Sequence, residues 1–351
     1  MTDLLLVSLG TTRGLRLADA ELVEMLRAAG ASVAAVGTRV GWTNALRRAY
    51  PVNDVVEAIA ARRALAVGLS RHQPRSVVFS TTTAALFAGD PGVPFAVWLD
   101  SPARLNRPGR ASTVLHPLER RQLSRARLIL TWSPTAAAEL PLGAAPSVVM
   151  PPPIPVAPAP SSGAREPVVV AYTPDPKAKG LALLCAAWDR ADLPGARLLI
   201  AGIPPDRAAE FLARRGVRLP RGVEVIGMVS QPSFRDLLAR ARVFVSAAEW
   251  EDFGIAPLEA LDRGAVLVGA PGGGPFPGLG IARALAPEFV AADREPDSLA
   301  RALEAVFAAD DAVLAAYRVA ARKALEPYRP QASVKRLREE VLPALLVAPR
   351  R

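Results

Sequence analysis

Cysteine is nearly absent: Cys185 is the one such residue in 351, so no intrachain disulfide can form, as expected of a reducing compartment. Histidine is scarce too. His72 and His116 together with one cysteine cannot complete a structural zinc cluster. Aromatic residues make up 5% and do not interleave with basic ones, which argues against a base-stacking nucleic-acid surface. No apolar run reaches the ~18 residues of a membrane span, and Met1-Thr2-Asp3 lacks the basic start of a signal peptide. The expectation is a cytoplasmic protein, at most peripheral at the inner membrane face. Hydrophobic residues are 51% and charged ones 22%, enough to bury a core. At roughly 100–200 residues per domain, the chain divides most simply into two.

Lysine is missing from the first 165 residues, but arginine is not. That stretch holds 18 Arg against 10 acids, a net of +8; the remainder holds 25 basic and 23 acidic residues, a net of +2. An anionic partner of the first half, nucleic acid or an anionic membrane surface, is one reading, and an arginine-rich composition with solvated side chains is the other. Arg47, Arg48, Arg62 and Arg63 fall in expected helices and are the candidates for such a contact.

Between Pro151 and Pro160 six of ten residues are proline, which fits neither a helix nor a central strand and reads as an extended, semi-rigid linker. On both sides short apolar runs alternate with helical patterns. Strands are expected at Leu4–Leu9, Ser32–Val36, Ser76–Phe79, Phe95–Leu99 and Leu128–Thr131. In the second half they are expected at Val168–Ala171, Leu198–Ala201, Val223–Ile226, Val243–Val245 and Val266–Gly269. Leu22, Met25, Leu26 and Ala29 mark one helix face, with Gly30 as its C-cap. The pattern implies an α/β fold of two doubly wound, Rossmann-like domains. The expected boundaries are 1–150, a linker at 151–165, and 166–330, with a C-terminal helix over 331–351 packing back on the first domain.

The most informative stretch is Glu249-Trp250-Glu251-Asp252-Phe253-Gly254-Ile255-Ala256-Pro257-Leu258-Glu259-Ala260-Leu261. Pro257 suits the first position of a helix, and Gly254 allows close backbone approach. Gly254, Ile255 and Ala256 then present N–H groups to a phosphate or hydroxyls, with Glu259 in the first turn able to accept two sugar hydroxyls. An acidic loop with Glu259 complementing the helix dipole is the alternative. After the strand at Val168–Ala171 comes Tyr172-Thr173-Pro174-Asp175-Pro176-Lys177-Ala178-Lys179-Gly180-Leu181, where a lysine at a helix start is placed to neutralise a diphosphate or is a plain surface lysine.

These motifs resemble the GT-B retaining glycosyltransferases of family 4, within the glycosyl transferases group 1. Their Glu-x7-Glu signature with an inner Phe-Gly is here Glu251 to Glu259 with Phe253-Gly254. It continues as Glu259-Ala260-Leu261-Asp262-Arg263-Gly264 before a strand. The resemblance implies two Rossmann-like domains facing across a cleft. It also implies a metal-independent, retaining hexosyltransferase without a separate cofactor. The donor would be a UDP- or GDP-linked sugar, the acceptor a glycan, glycolipid, lipid-linked or small-molecule hydroxyl, and nucleic acid no partner. It gives Glu259 the donor ribose, Glu251 the transferred sugar, and Phe253, Gly254 and Ile255 the sugar and diphosphate. Lys179-Gly180 matches the family's Lys-Gly. The family's Arg after the preceding strand is missing, with Tyr172 or Thr173 in its place and Lys177 as a possible substitute. That departure keeps open a catalytically weakened binding protein as the alternative function.

In the first half, Gly10-Thr11-Thr12-Arg13-Gly14 occupies the place of the family's glycine-rich loop, so Gly10 and Gly14 are donor-side candidates; a plain connecting turn is the other reading. Arg13 and Arg16 add charge there. At Val97-Trp98-Leu99-Asp100-Ser101-Pro102 many members carry a functional His near the acceptor. Asp100 stands here instead, either as a hydroxyl partner or base, or as the cap of a turn before proline. Ser133 is expected to cap a helix. Pro271-Gly272-Gly273-Gly274-Pro275-Phe276-Pro277-Gly278 is not a dinucleotide fingerprint; it reads as a ligand-side loop or a tight turn.

Overall fold

Leu4, Leu5, Leu6 and Val7 are fully buried, as a strand covered on both faces must be. They belong to β1 (Leu4–Ser8), the second strand of a six-stranded parallel sheet in a computed structural model that describes residues 2–11, 13–38, 51–106, 109, 113–158 and 165–346. The chain forms two units, Met1–Pro153 with Tyr328–Arg351, and Ile154–Pro327.

In the first unit β1 is followed by α1 (Arg13–Ala28), β2 (Val33–Gly37), α2 (Val52–His72), β3 (Ser76–Phe79), α3 (Thr82–Ala85) and β4 (Phe95–Leu99). Then come α4 (Ala103–Asn106), α5 (His116–Arg125), β5 (Leu128–Thr131), α6 (Pro134–Ala138) and β6 (Ser147–Val149). The sheet order is β2-β1-β3-β4-β5-β6, all parallel. Leu22, Met25, Leu26 and Ala29 are all buried, and Gly30 has φ +104°, as the periodicity and the C-cap required. Ser133 caps α6 by accepting from the Ala136 N–H at 3.0 Å. Trp98 lies wholly in the core with its indole N–H on the Met150 carbonyl at 2.7 Å and its ring 5.1 Å from that of Trp132.

The second unit runs β7 (Glu166–Tyr172), α7 (Leu181–Arg190), β8 (Arg197–Ala201), α8 (Pro205–Ala213), β9 (Val223–Gly227), α9 (Gln231–Arg240) and β10 (Ala241–Ser246). It continues with α10 (Ile255–Asp262), β11 (Val266–Gly269), α11 (Pro277–Leu285), α12 (Pro296–Ala308) and α13 (Asp311–Ala324). The order is β11-β10-β7-β8-β9, again parallel. After Tyr328 the chain is part of the first unit: α14 (Pro330–Arg336), a π turn at Leu337–Val341 and α15 (Leu342–Leu346). Arg75 Nη2 donates to the Leu346 carbonyl at 2.7 Å and Arg338 Nη2 to that of Ala28 at 3.1 Å, which tie this segment down.

Among the described residues, ten of the eleven strands coincide with expected apolar runs. The missed one, β6, is three residues long with Ser147 exposed and so lacks an apolar signature. In the proline segment Pro151, Pro152, Pro153 and Ile154 are buried, Pro155, Val156 and Pro158 are exposed, and residues 151–158 are neither helix nor strand.

Candidate active site

Open parallel sheets bind ligands beyond the carboxyl ends of their strands, where the strand order reverses. In the second sheet that point lies between β7 and β10. The loops leaving those two strands carry the Lys-Gly and Glu-x7-Glu motifs.

The β7 loop is a tight turn. Asp175 Oδ1 accepts from the N–H groups of Lys177 and Ala178, both at 2.9 Å, and Gly180 closes the turn as the N-cap of α7. Gly180 is required twice over. Its φ is +66°, and a Cβ there would stand 2.1 Å from the Ala247 carbonyl oxygen. The two loops therefore approach each other backbone to backbone, and the Glu249 N–H donates to the Ala178 carbonyl at 2.9 Å. This register brings the Lys179 ammonium to 2.6 Å from Glu251 Oε2, with 24% and 15% of the side chains exposed. Lys177, the proposed substitute cation, points to solvent.

The β10 loop turns into α10 through Gly254, whose φ of +77° is the left-handed cap conformation. The helix starts at Ile255, so Pro257 is its third residue, not its first, and Glu259 lies in the second turn. The displacement has a simple cause: the first N–H groups of a helix have no intrahelical acceptor, so proline fits at the third position as well as at the first. The first α-helical bond runs from the Leu258 N–H to the Gly254 carbonyl. The N–H groups of Gly254, Ile255 and Ala256 thus point out of the helix end. Phe253 is buried beneath this turn.

Glu259 is 9% exposed and held by Arg235, whose Nε and Nη2 donate to its Oε1 at 3.0 and 2.8 Å. Spacing offered no hint of Arg235, which is 24 residues away on α9. A second arginine missed by spacing is Arg294. It donates to the carbonyls of Ala247, Ala248 and Pro271 at 2.8–2.9 Å, fastening the β10 loop to the β11 loop. The glycine-proline stretch after β11 packs on the β10 loop, with the Glu251 N–H on the Gly273 carbonyl at 3.0 Å and the Gly273 N–H on that of Glu249 at 2.9 Å. Thr173 follows β7 with its hydroxyl buried and without a hydrogen-bond partner among the described residues, and Tyr172 packs on Phe234 with ring centroids 5.4 Å apart. Neither supplies the missing cation. Among the described residues no group of three or more His, Cys, Asp or Glu could hold a metal ion.

In the first unit the order reverses between β1 and β3. Gly10 follows β1 with φ +56° and its carbonyl accepts from Arg16 Nη1 at 2.9 Å. Gly14 lies in the first turn of α1, where a Cβ would meet nothing within 4 Å. Arg13 begins the same helix. Asp100 directly follows β4 and accepts from the Ser101 N–H at 2.7 Å. Arg62 and Arg63 are exposed on α2, whereas Arg47 and Arg48 lie outside the described residues. Asp19, not anticipated, is buried beside Ser8 and Ser80. The Ser8 hydroxyl donates to its Oδ2, and the Leu9 N–H donates to Ser80 Oγ at 3.0 Å. Burial lifts the Asp19 carboxyl to about 6, opposed in part by hydrogen bonds from both serines. An aspartate three residues before Leu22, on the apolar face of α1, was the available signal.

Residues 166–309 match the family model "Glycosyl transferases group 1". Sucrose-phosphate synthase from Thermosynechococcus elongatus superimposes with a TM-score of 0.75 at 15% identity, over 96% of this chain and 97% of that one. Anabaena HepE, solved with UDP and glucose, gives 0.69 at 15% identity over 97% and 99%. A glycosyltransferase from Rickettsia africae gives 0.66 at 13% identity over 99% of both chains. Among curated protein sequences none matches the chain. The two parallel sheets are those of the GT-B fold, and the second unit, which carries both loop motifs, matches the glycosyl transferases group 1.

Proposed function

We propose that the protein transfers a sugar from a nucleoside-diphosphate sugar, UDP- or GDP-linked, to an acceptor hydroxyl with retention at the anomeric carbon. The observation that carries this reading is the meeting of Lys179 with Glu251 beside the N-terminus of α10, at the reversal point of the second sheet. Lys179 and the N–H groups of Gly254, Ile255 and Ala256 offset the charge that develops on the departing diphosphate, and no metal ion is called upon. Glu251 accepts from hydroxyls of the transferred sugar, Glu259 accepts from the ribose, and Phe253 underlies the turn. In the reaction the bond from the anomeric carbon to the phosphate oxygen breaks and one to the acceptor oxygen forms. The acceptor proton passes to the departing phosphate on the same face. Gly10 and Asp100 are read as the contributions of the first unit, Gly10 by backbone approach and Asp100 as a hydroxyl partner.

The test is turnover with mixed UDP- and GDP-sugars and a panel of glycan and glycolipid acceptors, with the anomeric configuration of the product read by NMR. A retained anomer is expected; an inverted one contradicts the mechanism. One observation favours a second reading. The end of β7 offers the buried Thr173 hydroxyl where a cation would assist departure, which suits a nucleotide-sugar binding protein with weakened chemistry. Donor binding with neither transfer nor hydrolysis decides for it.

The acceptor side is read from charge. With a net charge of +11 on Met1–Pro153 and Tyr328–Arg351 together, and the exposed Arg62 and Arg63, we assign the first unit an anionic acceptor or a peripheral contact with an anionic membrane. No described helix is long and apolar enough to cross a bilayer. Sedimentation with anionic vesicles at low salt and release at high salt are expected, and equal absence from anionic and neutral pellets removes the membrane contact.

A further inference from the structure

Glu259 is buried, and a buried carboxylate without a partner either protonates or destabilises the fold. Its partner is Arg235, but the pairing is one-sided. Both Nε and Nη2 of the guanidinium donate to Oε1, rather than one to each carboxylate oxygen, and Oε2 takes no hydrogen bond among the described residues. The usual fork of an arginine on a carboxylate would occupy both oxygens. Here one oxygen is fixed and the other is left to accept.

The location of Arg235 suits a ligand-side role. It stands in the first turns of α9, which Ser230 caps and which packs against α10. The preceding residue, Phe234, lies on the Tyr172 ring at the end of β7. The Arg235–Glu259 pair therefore joins α9, whose Phe234 lies at the end of β7, to α10. A quarter of the arginine side chain is exposed, while the carboxylate is nearly covered.

We infer that Arg235 is a positioning residue that restricts Glu259 to a single accepting oxygen, Oε2, for a ribose hydroxyl of the nucleotide, and so makes the site discriminate ribose from deoxyribose. This rests on the donor reading above. With Arg235 in place the rotation of the carboxylate is blocked by two hydrogen bonds. Without it, Glu259 is free to turn, and its charge-assisted bond to one hydroxyl gives way to weaker alternatives. Lysine at this position restores the charge but not the two-point hold, because an ammonium is a point donor on a flexible stem.

The experiment is calorimetric titration of the full chain with UDP and GDP and with the 2′- and 3′-deoxy forms of each. The wild type is expected to prefer the ribose form over one of its deoxy counterparts by about 10- to 100-fold, the worth of one charge-assisted hydrogen bond. In Arg235→Ala the ratio falls to about threefold or less, while the deoxy ligand, which never used Glu259 Oε2, binds within about threefold of its wild-type affinity. Arg235→Lys falls between. Arg235→Gln provides the same comparison should the alanine variant not fold. A purely structural ion pair would lower melting temperature and leave the ratio unchanged, and that result overturns the inference. The failure of the donor reading is a different outcome: neither diphosphate binds the folded wild-type chain, which takes both down. A wild type that binds a diphosphate but prefers no ribose form overturns the inference alone.

Discussion

Lys179 and Glu251 are 72 residues apart in the chain and 2.6 Å apart in the fold, one on each loop at the reversal point of the second sheet. Each is the counter-ion of the other while no diphosphate is present. In the proposed reaction a donor phosphate would take the ammonium and free the carboxylate to accept from a sugar hydroxyl, so one exchange of partners would prepare both groups.

Lys179→Ala should therefore weaken both donor binding and turnover, by about 1.5–3 kcal/mol of charge-assisted hydrogen bonding, whereas Lys177→Ala should change either by less than about 0.5 kcal/mol. Steady-state kinetics with a saturating acceptor makes the comparison. A larger loss in Lys177→Ala would mean that the turn after β7 presents the other lysine to the ligand.

Two glycine substitutions separate a required glycine from a dispensable one. Gly180→Ala forces a methyl against the Ala247 carbonyl at a φ of +66°, and should destabilise the second unit by at least about 2 kcal/mol. Gly14→Ala adds a methyl into open space within α1 and should stabilise by up to about 1 kcal/mol. Denaturant unfolding reads both. Equal effects would contradict the placement of Gly14 in a helix.

Asp19 gives the fold a pH dependence. Its carboxyl titrates near 6 in the folded state against 3.8 in an open chain, so the native state holds the proton more tightly. That contribution is complete below about pH 4 and fades as pH rises through about 6. Asp19→Asn should thus raise stability at pH 8 relative to wild type by on the order of 2 kcal/mol and make little difference at pH 4. A gain of equal size at both pH values would show that the carboxylate charge is not the cause.

The strands were legible because both faces of a parallel sheet are covered, which leaves runs such as Leu4–Val7 and Val168–Ala171 without polar interruption. The Lys-Gly and Glu-x7-Glu motifs were legible because helix starts constrain local residue types: Gly180 and Gly254 both sit at positive φ, where a side chain strains. Arg235 and Arg294 were not, since nothing in local spacing tells which distant carboxylate or carbonyl an arginine will reach. The start of α10 was misplaced by two residues because proline satisfies more than one early helical position. Gly14 was taken for a loop residue because glycine is rare inside helices, and no packing demand distinguishes it.

The central claim is that a nucleoside diphosphate binds at the carboxyl ends of β7 and β10. Calorimetric titration of UDP and GDP into the wild type and into a Lys179→Ala/Glu259→Ala double variant tests it most directly, with melting curves confirming that both proteins are folded. The account predicts one site per chain in the wild type for at least one of the two diphosphates, and loss of that binding in the double variant. Binding of undiminished affinity in the folded double variant would contradict it, as would the absence of binding to the wild type.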